Sequence, residues 1–230
     1  MGTDLDRARH LVSGGRNMSS GADHEAVKRS YDEVAEDYWA NIGGELSHKP
    51  LDRALLRVLL EGTEPDLEIA DLGCGPGHVA AWLATRGARV VGIDLSGAMI
   101  ALARNKHPAV EFREGDLLAL PAAEGEFGAA LAFYSIIHLE AFELRAAFEE
   151  IRRTLKPSGL CLVSFHLGTE VRHRSEWWGH QVDLDFRFLA AESVIEAMEG
   201  AGFSVEAKLE RANYPEEVAT TRAYLLARRA

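Results

Sequence analysis

Three glycines at alternate positions, Gly73, Gly75 and Gly77, follow a short apolar run that ends in an acid, Asp71. An apolar-periodic segment, 79–83, comes directly after them, so the order strand, tight loop and helix is expected. Glycine permits the positive φ angles of such a turn, and the missing side chain lets a ligand lie against the backbone. A loop that is merely tight remains the alternative. The stretch predicts an α/β domain with a ligand loop.

Two further apolar runs end in acids in the same way. Residues 89–94 end at Asp94, about 20 residues beyond the loop, where a doubly wound fold places an acid against ribose hydroxyls. Residues 110–116 end in a Gly-Asp pair, Gly115 and Asp116. Parallel strands bring such ends to one edge of a sheet. The alternative is that these acids only cap the helices that follow.

This set of motifs resembles the class I S-adenosylmethionine-dependent methyltransferases. The set consists of an acid, a Gly-x-Gly-x-Gly loop, an acid ending the second strand and a Gly-Asp pair after the third. The resemblance extends from about Tyr31 to the end of the chain and is closest to small bacterial members that act on small molecules, including those of secondary metabolism. It implies an α/β fold with a Rossmann-like, doubly wound, seven-stranded and mostly parallel sheet. It also implies an antiparallel last strand, a helical N-terminal cap and a lid insertion after the fifth strand.

The resemblance also assigns a site for S-adenosylmethionine, whose product is S-adenosylhomocysteine. In it Asp94 would accept the ribose hydroxyls, Asp116 would accept the adenine amino group, and Asp71 would brace the loop. The whole implied cofactor site comprises Tyr31, Tyr38, Asp71, Gly73, Gly75, Gly77, Asp94, Leu95, Met99, Asp116, Leu117 and Phe133. For the two tyrosines, which share a helical stripe with Val27 and Val34, packing in the core is an equal alternative.

Two histidines are candidate catalytic bases, since imidazole titrates near working pH. His138 lies past the fourth strand and His166 past the fifth; a structural role is the alternative for His138. Candidate substrate-binding residues are Tyr134, Arg172, Trp177, Trp178 and His180. Solvated arginines and core tryptophans are the alternatives. Although histidines recur every seven residues from His166, no Cys or acidic ligand set accompanies them, so no metal is expected.

Composition narrows the class of partner. With 36 acidic and 25 basic residues the net charge is -11, which argues against nucleic-acid binding. No apolar run approaches the roughly 18 residues of a membrane span, so no membrane partner is expected. The two cysteines, Cys74 and Cys161, are predicted to be free thiols in a reducing, cytoplasmic location. We expect a small-molecule substrate and a monomer or homodimer.

The chain is expected to form one methyltransferase domain, residues 23–230, after a flexible leader, 1–22, that lacks periodicity. Within the domain, 23–62 would form the helical cap, with a helix starting at Asp23. A long segment, 166–188, is rich in His and Trp without a clear period, and is predicted to be a substrate lid.

These patterns predict transfer of a methyl group from S-adenosylmethionine to O, N or S of a metabolite by in-line displacement, in which positioning supplies most of the catalysis. A cofactor-binding protein or a non-methylating enzyme on the same fold is the alternative, because cofactor motifs report binding and not turnover. An NAD-dependent oxidoreductase is disfavoured by the glycine spacing and by the Gly115-Asp116 pair.

Overall fold

The computed structural model describes the backbone of residues 20–230 and the side chains from residue 24 onwards. The predicted leader, 1–22, therefore lies almost entirely outside the described residues. The helices are α1 Ser20–Ile42, α2 Pro50–Glu61, α3 His78–Ala84, α4 Gly97–Lys106, α5 Leu144–Thr154 and α6 Ala191–Gly200. The strands are β1 Glu68–Leu72, β2 Arg89–Asp94, β3 Glu111–Glu114, β4 Phe127–Phe133, β5 Leu155–His166, β6 Val171–Trp177, β7 His180–Arg187, β8 Phe203–Arg211 and β9 Arg222–Arg229.

Seven strands form one sheet in the order β3-β2-β1-β4-β5-β9-β8. The first five pair in parallel, as alternating strands and helices require. Strand β9 runs antiparallel to both of its neighbours, β5 and β8. The predicted fold class, a mostly parallel seven-stranded sheet with an antiparallel last strand, is confirmed.

Both faces of the sheet are buried, which explains why its central strands read as continuous apolar runs. Along β4, Ala130 and Ala132 pack with the apolar faces of α5 and α6. Their neighbours Ala129 and Leu131 point to the other side and pack with α2, α3 and α4. The carboxyl ends of the parallel strands are thereby left as an edge at which loops meet.

Helix α1 begins at Ser20, before the expected start at Asp23. Helix α5 begins at Leu144, directly after Glu143, whose carboxylate accepts a hydrogen bond from the backbone N–H of Glu140, 2.8 Å away, and closes a turn there.

The segment after β5 is an antiparallel hairpin of β6 and β7. Strand β7 packs on α1, where Val34, Val182 and Leu184 form a small buried cluster. Strand β6 is exposed along most of its length, which accounts for the absence of an apolar period in this segment. Among the described residues, no helix combines the length and apolar character needed to cross a membrane.

Candidate active site

A cavity opens where the strands β1, β2, β3 and β4 end, and it encloses about 820 Å³ when the open space at its mouth is included. Every residue of the implied cofactor site except Asp71 and Gly77 lines it. The lining residues with polar side chains are His24, Lys28, Tyr31, Tyr38, Asp94, Ser96, Asp116, Tyr134, Ser135 and His138. The three predicted strand ends and the first helix therefore converge on one space.

The glycine loop takes the left-handed conformation at all three glycines, with φ of 72° at Gly73, 52° at Gly75 and 80° at Gly77. A side chain on Gly73 would collide with Ser135, whereas one on Gly75 would meet nothing nearer than Tyr38 at 3.8 Å. The backbone at Gly75 therefore faces open space in the cavity, as a ligand lying against the loop requires.

Asp94 ties this loop to the start of α4. Its carboxylate accepts hydrogen bonds from the backbone N–H of Gly75 at 2.7 Å and of Ser96 at 2.9 Å. Burial raises the pKa of Asp94 to about 6, although both hydrogen bonds favour the ionised form. Beneath the loop, Asp71 is 2% exposed, and burial raises the pKa of this acid to about 7.

At the opposite end of the cavity, Asp116 accepts hydrogen bonds from His24 and from the backbone N–H of Leu118, each at 2.8 Å. Burial opposes ionisation of this acid, but the hydrogen bonds from His24 and Leu118, together with the charge of His24, outweigh burial and hold the pKa of Asp116 below its ordinary value. No motif in the sequence marks His24 as a site residue, since 92 residues separate it from Asp116.

His138 joins three elements. Its Nδ1 lies 3.0 Å from the backbone carbonyl of Asp185 on β7, and its Nε2 lies 2.8 Å from the hydroxyl of Tyr31 on α1. A carbonyl only accepts, so Nδ1 carries the proton and Nε2 accepts from Tyr31. Burial lowers the pKa of His138 to about 4, which keeps the imidazole neutral at pH 7. Both the catalytic and the structural interpretation of this histidine are compatible with these contacts.

The second candidate base, His166, does not line the cavity. Its Nδ1 lies 2.9 Å from the hydroxyl of Thr220, and its ring stacks on Phe188 with centroids 5.3 Å apart. Burial lowers the pKa of His166 to about 4 as well. Its surroundings are those of a packed side chain, separated from the cavity by Tyr134.

Of the predicted substrate-binding residues, Tyr134 lines the cavity, in the left-handed conformation with φ of 55°. Trp177 and Trp178 stand behind the cavity, edge-on against Tyr38. The two other candidates lie outside the cavity. His180 is 2.9 Å from Asp37. Arg172, on the exposed hairpin strand β6, pairs with Glu170.

A buried ion network closes the side of the cavity behind Tyr134, and no sequence pattern indicated it. Arg211 contacts both Asp52, at 3.1 Å, and Glu217, at 2.6 Å. Glu217 also lies 3.3 Å from Lys49 and 3.2 Å from Arg222. Three cations and two acids from different parts of the chain thus fix the cap against the ends of β8 and β9.

Among the described residues, no group of three or more His, Cys, Asp or Glu side chains is arranged to hold a metal ion. The histidines that recur every seven residues each have a separate partner: Thr220 for His166, Asp185 for His173 and Asp37 for His180.

Residues 69–159 match a family model described as a methyltransferase domain. A demethylmenaquinone methyltransferase of Chlorobaculum parvum is 32% identical over 60% of this chain and 58% of its own length. The biotin biosynthesis bifunctional protein BioHC of Cellvibrio japonicus is 30% identical over 84% of this chain and 38% of its own length. The chain thus spans less than two thirds of either relative.

Among solved structures, magnesium protoporphyrin IX methyltransferase from Synechocystis with bound S-adenosylmethionine superposes with a TM-score of 0.67. The match covers 94% of this chain and all of that chain, at 19% identity. Such a likeness concerns the fold, and it agrees with the strand order and the glycine loop. Residues 69–159 therefore form a methyltransferase domain, and the relatives and the fold agree with the resemblance to the class I S-adenosylmethionine-dependent methyltransferases.

Proposed function

We propose that the protein transfers a methyl group from S-adenosylmethionine to O, N or S of a small-molecule acceptor. The observation that carries this proposal is the convergence, in one cavity, of the glycine loop, Asp94, Asp116 and the Tyr31–His138 pair. The relatives named for demethylmenaquinone and for biotin biosynthesis support an acceptor that is a metabolite. Family membership alone does not specify the acceptor or its reacting atom.

The residues present fit the cofactor. The backbone at Gly75 leaves open space for the methionine part, and Asp94 retains lone pairs on both carboxylate oxygens that can accept ribose hydroxyls. Asp116 would accept the adenine amino group, with Met99 and Leu95 as apolar walls. When bound, S-adenosylmethionine supplies an activated methyl group on a sulfonium. The chain itself must then place an acceptor in line and exclude water.

The Tyr31–His138 pair would orient the acceptor. The Tyr31 hydroxyl donates to His138 Nε2, so its oxygen is free to accept a hydrogen bond from an acceptor in the cavity. Because burial lowers the pKa of His138 to about 4, the pair orients an acceptor more than it stores the acceptor's proton. Acceptors that ionise readily are therefore expected to react best.

Water exclusion would fall to α1 and to the β6–β7 hairpin, which we propose as the substrate lid, 166–188. The hairpin is held to α1 by the hydroxyl of Ser30, which accepts from the backbone N–H of Asp183 at 2.9 Å. It is also held by Trp177, whose ring lies 6.1 Å from that of Tyr31. We also propose a cytoplasmic location, which the two buried free thiols support.

Thermal unfolding with S-adenosylmethionine, S-adenosylhomocysteine and NAD tests the proposal. Each ligand at about 100 times its dissociation constant adds about 2.7 kcal/mol to the free energy of unfolding if it binds only the native state. We expect a shift of several degrees with the two adenosyl compounds and none with NAD. Methyl transfer from labelled cofactor to a metabolite panel then tests turnover. Binding without transfer to any acceptor would favour the alternative of a cofactor-binding protein.

A further inference from the structure

We propose that His24 and Glu143 are positioning residues that fix the Asp116 carboxylate and thereby make this end of the cavity selective for a 6-aminopurine. The inference rests on the proposed cofactor site. It adds two residues, from α1 and from the start of α5, that the glycine-loop motifs do not include.

The three side chains come from three elements and meet at the edge of the cavity. His24 Nδ1 lies 2.8 Å from Asp116 Oδ2, and His24 Nε2 lies 3.5 Å from Glu143 Oε1. Glu143 is 5% exposed, and its other oxygen accepts from the backbone N–H of Glu140 at 2.8 Å. No hydrogen bond among the described residues reaches Glu143 Oε1, so His24 is the donor that this buried oxygen faces.

The imidazole between two carboxylates is a cation. The hydrogen bond with Asp116, against the opposing effect of burial, raises the pKa of His24 to about 9, and the charge of Glu143 acts in the same direction. At pH 7 both ring nitrogens therefore carry a proton. A charged bridge of this kind holds Asp116 in one orientation more firmly than a neutral hydrogen bond would.

Two further contacts hold helix α1 in the position that brings His24 between Asp116 and Glu143. Lys28, one turn after His24, pairs with Glu114 at the end of β3. Asp32, one turn further, accepts from the Ser96 hydroxyl at 2.6 Å and from the backbone N–H of Ala98 at 3.0 Å. Residues spaced by four lie on one helix face, so the whole face docks on the loops that follow β2 and β3.

Fixing Asp116 has a consequence for the purine. Asp116 Oδ1 accepts from Leu118 N–H and Oδ2 accepts from His24, which leaves lone pairs of defined direction for one more donor. A 6-amino group donates to such a carboxylate. A 6-oxo group presents its own lone pairs to the carboxylate instead, and a polar site rejects a ligand that leaves its buried groups without partners.

Isothermal titration with S-adenosylhomocysteine and S-inosylhomocysteine, which differ only at purine position 6, tests the proposal. We expect the wild type to prefer the adenosyl compound by about 10 to 150-fold, the range for hydrogen bonds to a charged group. His24→Ala should reduce this preference at least about tenfold, through weaker adenosyl binding. His24→Gln keeps one donor to Asp116 and should therefore retain more of the preference for the adenosyl compound than His24→Ala does. Glu143→Gln should also lower this preference less than His24→Ala.

The matched control is His173→Ala. His173 Nδ1 also lies 2.9 Å from an aspartate, Asp185, but this pair is exposed on the hairpin, and the variant should keep the wild-type preference. An unchanged preference in folded His24→Ala and His24→Gln would overturn the inference, and so would tighter adenosyl binding, which would mean that His24 blocks the site. If the wild type binds neither compound, the proposed function fails and the inference fails with it.

Discussion

The hydroxyl oxygen of Tyr31 lies 2.8 Å from Nε2 of His138, although 107 residues separate the two in the sequence. The contact joins α1 to the turn that follows β4, and the other ring nitrogen of His138 joins that turn to the hairpin through Asp185. The end of the cavity at which we propose that the acceptor binds is therefore assembled from three distant parts of the chain.

Tyr31→Phe and His138→Gln should each reduce the single-turnover rate of methyl transfer by about 10²-fold, the cost of a misplaced reactant, because the pair orients the acceptor. Because the two act in series, the double variant should be little slower than either single variant. Tyr214→Phe is the matched control. Tyr214 does not line the cavity, so the rate of this variant should stay near that of the wild type. If the double variant lost as much rate as the two single variants combined, the two residues would act independently and not in series.

Ligand affinity should depend on pH through Asp94. Ribose hydroxyls donate to the ionised carboxylate, and the pKa of Asp94 without ligand is raised by burial to about 6. Affinity for S-adenosylhomocysteine should therefore be full above this pH and fall as the pH drops through it, by up to about tenfold per unit. Asp94→Asn should bind about 10 to 150-fold more weakly at pH 8 and lose this part of the pH dependence. Asp66→Asn, at an exposed loop position, is the control. An Asp94→Asn profile identical to that of the wild type would exclude the role.

Gly73→Ala and Gly87→Ala separate steric collision from backbone strain. Both glycines have positive φ, 72° and 92°, so alanine costs roughly 1 to 2 kcal/mol of stability at either position. A Cβ on Gly73 would also collide with Ser135, while one on Gly87 has no neighbour within 4 Å. Urea unfolding should show a clearly larger loss for Gly73→Ala, together with weakened ligand binding. Equal losses of stability in the two variants would mean that the glycine loop accommodates the added Cβ without a collision with Ser135.

The buried ion network should make Glu217 important for stability. Its carboxylate contacts Lys49, Arg211 and Arg222, and removing one partner of a buried pair costs about 3 to 5 kcal/mol. Glu217→Gln should therefore lower the free energy of unfolding by several kcal/mol. Glu149→Gln removes an exposed pair with Arg145 and should cost less than about 1 kcal/mol. If both substitutions lowered the free energy of unfolding by the same small amount, solvent or a rearrangement of the network would be compensating for the lost Glu217 charge.

The part of the site that follows from local sequence is the part built on strand ends. The glycine loop, Asp94 and Asp116 each come directly after an apolar run, and the parallel sheet brings such ends together whatever the rest of the chain does. The sheet itself follows for the same reason. Buried strands covered on both faces carry a strong compositional signal.

The rest of the site depends on contacts that no local pattern encodes. His24 meets Asp116, 92 residues away, and Asp52 meets Tyr224, 172 residues away. The hairpin was expected as an irregular lid because the exposed strand β6 lacks alternation. Arg172, which was predicted to bind the substrate, lies on this exposed strand and pairs with Glu170. The roles of these residues depend on which face of the hairpin packs on α1.

The docking of α1 also determines when the cavity can be completed during synthesis on a ribosome. Ser30 leaves the ribosome long before Asp183, the residue to which it bonds across 153 positions. At about 5 to 20 residues per second, that interval is on the order of 8 to 30 s. Throughout this interval the apolar face of α1 has no hairpin to pack on. The nascent chain therefore carries an uncovered amphipathic helix, a natural target for chaperones, until strand β7 has been made.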